Sequence, residues 1–484
     1  MRLAPLSLVI GAALLISTSL SAQSAKRPDN TATILSGLDA RAAHYADVAH
    51  QIWGFAEVGY QEFKSSALLQ RELTTAGFTL TAGIAGMPTA FTAEYGSGKP
   101  VIAIIGEFDA LPGLSQDASP AQHAVTPGGA GHGCGHHLYG AAAIASAISV
   151  KEWMIANRIT GTLRFYGTPA EEGGSGKVYM VRDGLFDDVD VAVTWHPGDR
   201  NEVAGTSSLA NISGKFRFHG VSAHASASPE QGRSALDAVE VMNVMTNFLR
   251  EHIPQESRIH YVITNGGRAP NVVPDVAEVY YVVRHPEMKV VNDVWARVGN
   301  AAKGAALGTG TTYDLTIISS VYALLINKTL ATVQQRALER VGGFTYTAEE
   351  TAWAETLQKT LFNSAVPLAT TAKVFPLDTT SPVGGGSTDV GDVSWRVPTV
   401  QMSGATWVPG TPAHSWQAVA AGGMSIGSKG MMVAAKTMAL TAAELFTSPA
   451  TIVAARAEFD RQRGPNYKYS THLGTQKPAL DYRK

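Results

Sequence analysis

The period of the apolar positions changes along this chain, and each change marks an element. Ile34 to Ile52 repeats at helical spacing, and Ser65 to Ala76 predicts a second helix stopped by Gly77. Val101-Ile102-Ala103-Ile104-Ile105-Gly106 is a continuous apolar run, as expected of a strand covered on both faces. Leu138 to Trp153 is Ala-rich and predicts a long buried helix. Thr162 to Tyr166 and Val189 to Thr194 predict further strands, each ending where polar residues begin. The alternation of strand and helix predicts an α/β layer around a mostly parallel sheet, in which ligands gather at the carboxyl ends of the strands.

Near residue 211 the pattern turns to strict alternation. Lys215-Phe216-Arg217-Phe218-His219-Gly220 predicts a half-solvated antiparallel strand, followed by an amphipathic helix over Ser234 to Arg250. Arg258 to Thr264 and Val276 to Arg284 again predict strands, and Val290 to Leu307 a helix. Residues 211–322 therefore read as a compact α+β unit inserted between two parts of the α/β domain, 26–210 and 323–446. In the second part helix resumes at Leu330, Gly384 to Ser387 is a loop, Val397 to Met402 a core strand, and Met424 to Phe446 a closing helix. The polar tail, 447–484, is expected to wrap the surface.

The first 25 residues stand apart. Arg2 is the only charge before Lys26, Leu3 to Leu20 is apolar, and Leu20-Ser21-Ala22 offers small residues for cleavage. This is the pattern of a secretory signal peptide, with an N-terminal anchor as the alternative. No later stretch reaches the ~18 consecutive apolar residues of a membrane span. A periplasmic or secreted location is expected.

Composition adds limits. A chain of 484 residues exceeds one typical core, so two domains are expected. A net charge of −2 without any basic run argues against a nucleic-acid partner. The single cysteine is more informative: export favours disulfides, yet one thiol cannot form an internal one.

That cysteine, Cys134, lies in Gly131-His132-Gly133-Cys134-Gly135-His136-His137. Thiolate and imidazole together suit zinc and neighbouring divalent ions, although free cysteine is also often simply buried. Glu171-Glu172 follows a predicted strand. One carboxylate there could hold a metal while the other takes a proton from water, and a solvated charge pair is the plainer alternative. Asp109 and His196 also fall just past predicted strands, which argues for convergence. His224 lies in the inserted unit and His414 in a late loop; alone, each is a weak signal.

Read in order, the motifs carry a resemblance. They are Gly106-Glu107-Phe108-Asp109-Ala110-Leu111-Pro112-Gly113, Cys134-Gly135-His136, Glu171-Glu172-Gly173-Gly174, Val221-Ser222-Ala223-His224-Ala225, and Gly266-Gly267 with Asn271-Val272-Val273-Pro274. From about residue 35 to 446 the chain resembles the di-metal amidohydrolases of the aminoacylase/carboxypeptidase clan. The resemblance lies in the branch of hippurate, auxin-conjugate and aminobenzoyl-glutamate hydrolases. Gly386-Ser387-Thr388-Asp389 looks most like the aminobenzoyl-glutamate group.

The resemblance implies a catalytic α/β domain of the zinc-exopeptidase type with a ferredoxin-like lid and dimerisation domain. It implies two divalent ions, zinc or manganese with cobalt also fitting, held by Cys134, His136, Glu172, His196 and His414. Glu171 would be the general base, and His224 of a partner subunit would stabilise the oxyanion. Asn271 and Arg284 would hold the substrate carboxylate, and Asp109 would orient a ligand histidine. Many relatives carry Asp where this chain has His137, which could donate a hydrogen bond or add a ligand. The expected activity is cleavage of an N-acyl or N-aroyl amino acid by a homodimer, with or without a second related subunit. A dipeptidase on the same fold and a non-catalytic periplasmic binding protein are the alternatives.

Overall fold

The structure, a computed structural model, describes Met1, residues 31–381 and residues 383–483. The leader read over residues 1–25 lies outside these, Met1 aside. Among the described residues eleven strands form two sheets. The first contains β1 (Thr79–Ala82), β2 (Phe91–Ser97), β3 (Val101–Glu107), β4 (Gly161–Thr168), β5 (Val191–Gly198) and β6 (Glu202–Val203). The second holds β7 (Ala210–His219), β8 (Arg258–Asn265), β9 (Val276–His285) and β10 (Thr312–Val321). The chain then returns to the first sheet as β11 (Thr399–Ala405).

The large sheet has the order β1-β2-β4-β3-β5-β11-β6. Its centre, β4-β3-β5-β11, is parallel, and antiparallel strands flank it on both sides. Every residue of β3 is buried, as its unbroken apolar run requires. Ile102 and Ile104 face the helices His136–Asn157 and Ser425–Thr447 in one core. Val101, Ala103 and Ile105 face the short helices Gly176–Arg182 and Val390–Arg396 in the other. Gly140 lets helix His136–Asn157 lie against the end of β3, since a Cβ there would stand 2.8 Å from the Glu107 carbonyl oxygen. This close approach brings the amino end of that helix to the carboxyl end of the strand.

The small sheet is antiparallel with order β10-β7-β9-β8. Helices Ala235–Leu249 and Met288–Thr309 cover one face around their own apolar core. The chain order βαββαβ with this strand order is the ferredoxin-like arrangement. The opposite face is polar and turns toward the large sheet's carboxyl edge.

Some elements differ from the expectation. The helix read over Ile34 to Ile52 divides at Arg41 into Thr31–Ala40 and Ala42–Phe55. Strands β1, β2, β6 and β10 were not expected. β1 and β10 lie at sheet edges and keep exposed positions, so their apolar alternation is diluted. The polar tail begins as a helix, Pro449–Arg463, before running irregularly. Among the described residues no single helix is long and apolar enough to cross a membrane.

Candidate metal centre and active-site cleft

The carboxyl ends of β3, β4 and β5 supply most of the site. Asp109 follows β3, Glu171 and Glu172 follow β4, and His196 lies in the last turn of β5. Gly135 adopts φ +75° immediately before helix His136–Asn157, a left-handed turn that aims Cys134 and His136 into the same space. His414 arrives from the loop after β11. Ala170, Ser175 and His414 also take positive φ, although none is glycine. Such strain persists only where the surroundings over-determine it, and here it brackets the carboxylate loop and the last histidine.

The side chains converge closely. Cys134 Sγ lies 3.4 Å from His196 Nε2, and His414 Nε2 lies 3.3 Å from Glu172 Oε1. His196 Nδ1 donates to the Pro197 carbonyl at 2.7 Å, which leaves its Nε2 lone pair toward the sulfur. His136 Nδ1 is 2.9 Å from Asp109 Oδ1, and its Nε2 is 3.1 Å from Glu107 Oε2. Two ligand groups overlap at the sulfur: Cys134 with His136 and His196, and Cys134 with Glu172 and His414. Buried His136 Nε2 has Glu107 Oε2 beside it, and buried Glu172 Oε1 has His414 Nε2, with no other hydrogen-bond partner for either atom. Imidazole nitrogens and a carboxylate oxygen gathered around one thiol are a donor set that a pair of cations would take up, so the residues fit a two-metal site.

Electrostatics support the same fit. Burial, with Glu172 beside it, raises the Cys134 thiol well above its ordinary range, so a cation is needed to make it a thiolate. Burial and His136 push His196 down to about 4, which keeps it neutral and able to ligate. Burial alone would lower His136, but Asp109, Cys134 and Glu107 hold it well above its usual value. Glu171 is raised by burial, then by Glu107 and Glu172. Burial would also raise Glu172, yet the His414 hydrogen bond and His136 hold it below the usual carboxylate range.

A cavity of about 390 Å³ opens above this cluster. Its floor includes Cys134, Glu171, Glu172 and His196, and its roof is the polar face of the inserted unit. Arg284 on β9 reaches into it and is held at 3.0 Å from Ser387 Oγ. A second cleft shares Arg284 and adds Arg258 and His260.

Three expected residues lie neither in the cluster nor along this cavity. His137 is one residue, about 100°, around the helix from His136, so only one of the pair can face the cluster. His137 instead donates from Nε2 to the Gly422 carbonyl at 3.1 Å and packs its buried ring on His132. Of its two expected roles, His137 thus takes that of a hydrogen-bond donor, directed away from the cluster, and not that of an added ligand. His224 and Asn271 are exposed neighbours on the inserted unit, joined through a bridge between His224 and Val272 and an Ala225 N–H to Asn271 carbonyl bond. Asn271 is thus not brought to the carboxylate pocket of its own chain.

Other residues were missed. Lys177 is fully buried, with Nζ 2.7 Å from Glu107 Oε1 and 2.6 Å from Asp389 Oδ1. A lysine in a short helix reads as solvated, and nothing local marks it as an exception. Asn211, Ser213 and Tyr280 line the roof. Their signal was available, since Asn211 and Ser213 on β7, and Tyr280 and Arg284 on β9, are polar positions an even number of residues apart.

Comparison with known proteins agrees with the geometry. Residues 103–419 match Peptidase family M20/M25/M40. A p-aminobenzoyl-glutamate hydrolase subunit of Escherichia coli (strain K12) is 46% identical over 87% of this chain and 93% of its own length. The Xaa-Arg dipeptidase of Mus musculus is 28% identical over 87% of this chain and 90% of its own length. Among solved structures, the Bacillus subtilis YXEP protein, described as a dinuclear metal binding peptidase from the M20 family, has the same fold. It gives a TM-score of 0.57 at 18% identity, over 84% of this chain and 99% of that one. The chain belongs to Peptidase family M20/M25/M40 and is a metal-binding hydrolase of amide bonds.

Proposed function

We propose that this chain removes the acyl or aroyl group from N-acylated amino acids that carry an anionic side chain, with aminobenzoyl-glutamate-like compounds as the preferred class. The observation that carries this reading is a single cavity holding the Cys134 cluster and Glu171 below and Arg284 above. An amide carbonyl placed over the cluster would leave its carboxylate side toward Arg284. The adjoining cleft, lined by Glu256 and His260 as well, adds the Arg258 guanidinium, which suits a second carboxylate.

Cys134, His136, Glu172, His196 and His414 are the residues that would hold the two ions, zinc, manganese or cobalt. The bound pair would supply Lewis acidity and lower the pKa of water. Glu171 takes the proton of the attacking water and returns it to the leaving amine. Asp109 holds His136 by its Nδ1, and Arg284 orients the substrate. His224 and Asn271 come to the cleft from a second copy of the chain, where His224 steadies the developing oxyanion. Exposed Val244, Met245 and Phe248 on helix Ala235–Leu249, with Val262 and Ile263 on edge strand β8, give that copy an apolar face to cover. The leader sends the enzyme to the periplasm or outside the cell. A related second subunit is the alternative assembly.

The dipeptidase relative raises a second reading. Arg284 in the cavity over the cluster opposes it for Xaa-Arg substrates, because a C-terminal arginine side chain placed there would face that guanidinium. Assaying metal-analysed protein on N-benzoyl and N-aminobenzoyl amino acids beside free dipeptides decides between them. Preference for N-aroyl glutamate supports the proposal, and preference for free dipeptides removes it.

A further inference from the structure

The matched family region ends at residue 419, well before the tail. After helix Pro449–Arg463 the chain runs without regular structure to Arg483, yet it is pinned at nearly every turn. Tyr469 donates to Asp392 Oδ1 at 2.7 Å, and Leu473 is buried in the core beneath the large sheet. His472 pairs with Asn292, and Gln476 donates to the Ile317 carbonyl, both in the inserted unit. Gln61 donates to the Leu480 carbonyl at 2.7 Å. The tail therefore crosses from one unit to the other and returns.

Its last residues reach the carboxylate loop. Tyr482 Oη and Arg483 Nη2 both donate to the backbone carbonyl of Glu172, at 3.0 and 2.6 Å. The Tyr482 ring packs edge-on against Tyr60 at 5.7 Å, and Tyr60 Oη donates to the Gly174 carbonyl at 2.6 Å. The rest of the loop is fixed from inside. Glu62 Oε1 accepts from the Ala170 N–H, and Asp109 Oδ2 accepts from the Glu172 N–H, each at 2.9 Å. The catalytic unit thus fixes the loop's N–H groups, while the tail holds the Glu172 carbonyl. The loop also carries two left-handed non-glycine residues, Ala170 and Ser175, a conformation that persists only where its surroundings hold it.

We propose that Tyr482 and Arg483 are positioning residues, and that the C-terminal tail is a strap setting the Glu171–Glu172 loop for metal binding and proton transfer. The strap acts on the backbone of a proposed ligand whose side chain already lies 3.3 Å from His414. Misplacement by ~1 Å in such a loop is enough for a ~100-fold loss. The inference rests on the functional reading only in naming Glu171 and Glu172 as machinery.

The test uses the full-length holoenzyme with Tyr482→Phe/Arg483→Met, Arg483→Met and Arg483→Lys. The double variant is expected to lose about 10-fold or more in kcat with KM within about twofold. It should also give up its metals to a chelator about 10-fold more readily than wild type. Arg483→Lys keeps a donor and should retain most of the kcat. Unchanged kcat and chelator resistance in the folded double variant overturn the proposal. So does a kcat loss that disappears when activity is counted per folded, metal-loaded molecule. If the double variant does not fold, Arg483→Met decides by the same criteria. If the wild type hydrolyses no N-acyl amino acid, the substrate reading fails while the chelator comparison still judges the strap.

Discussion

Asp109 grips His136 and the Glu172 backbone with the two oxygens of one carboxylate. Oδ1 lies 2.9 Å from His136 Nδ1, and Oδ2 accepts the Glu172 N–H at 2.9 Å. The arrangement keeps a proton on His136 Nδ1, so that Nε2 is the nitrogen a metal would take, and ties the helix bearing one proposed ligand to the loop bearing another. Burial opposes its charge, but His136 and these hydrogen bonds keep Asp109 below the usual carboxylate range. Asp109→Asn can still accept from one partner but presents an N–H₂ to the other. It is expected to weaken metal retention about 10–100-fold, read by metal content after dialysis against graded chelator. Full retention would show that Asp109 does not orient the ligand.

Lys177 gives a stability prediction. Its ammonium is fully buried between Glu107 and Asp389, and burial, which would lower its pKa, is outweighed by Asp389 and Glu107. Lys177→Met leaves the Asp389 carboxylate without a cation and Glu107 with His136 alone, at an expected loss of about 3–5 kcal/mol in urea unfolding. Adding Asp389→Asn should recover part of that loss. An additive double variant would mean the pair is not coupled.

The tail's contact with Asp392 makes a pH prediction. Burial, with Asp389 nearby, pushes this carboxyl up to about 8 from an ordinary 3.8, against the pull of its Tyr469 and Tyr322 hydrogen bonds. The folded state therefore holds a proton that the unfolded chain releases. That contribution is complete below about pH 4 and is lost as pH rises toward 8. Asp392→Asn mimics the protonated form. Between pH 5 and 8 the wild type should lose up to about 4 kcal/mol that the variant keeps, seen as converging or crossing melting curves. Parallel curves would place the proton elsewhere.

The legible part of this protein was whatever repeats locally. β3 and the helix over His136–Asn157 are apolar all round because both are buried all round, and such runs are hard to mistake. Asp109, Glu171, Glu172 and His196 could be placed because each falls at the end of a strand in an α/β pattern, where strand ends meet, and Cys134 and His136 because they share one short Gly/His/Cys cluster. Lys177 was illegible because its partners lie 70 and 212 residues away. His137 stayed open between donor and added ligand because the sequence does not show which way it faces, and the helix turns it away from His136 to donate to Gly422. The tail was silent because its role lies in hydrogen bonds to one carbonyl, and no residue pattern encodes those.

His224 poses the sharpest question about assembly. Its Nδ1 accepts from the N–H groups of Ser226 and Ala227, at 3.3 and 3.2 Å, so the ring carries its proton on Nε2 as a donor. It lies outside the cavity that holds Glu171 in its own chain. In a symmetric dimer each cleft would draw Glu171 from one chain and His224 from the other. Glu171→Ala and His224→Ala homodimers should then both be inactive. Mixed, they form a dimer in which one cleft lacks both groups and the other is intact. Random pairing makes about half the dimers mixed, with one working cleft of two, so about a quarter of wild-type activity should return. Recovery should track the mixed species on native mass spectrometry. Proven mixed dimers without activity would place His224 outside the reaction, and activity in the His224→Ala homodimer alone would do the same.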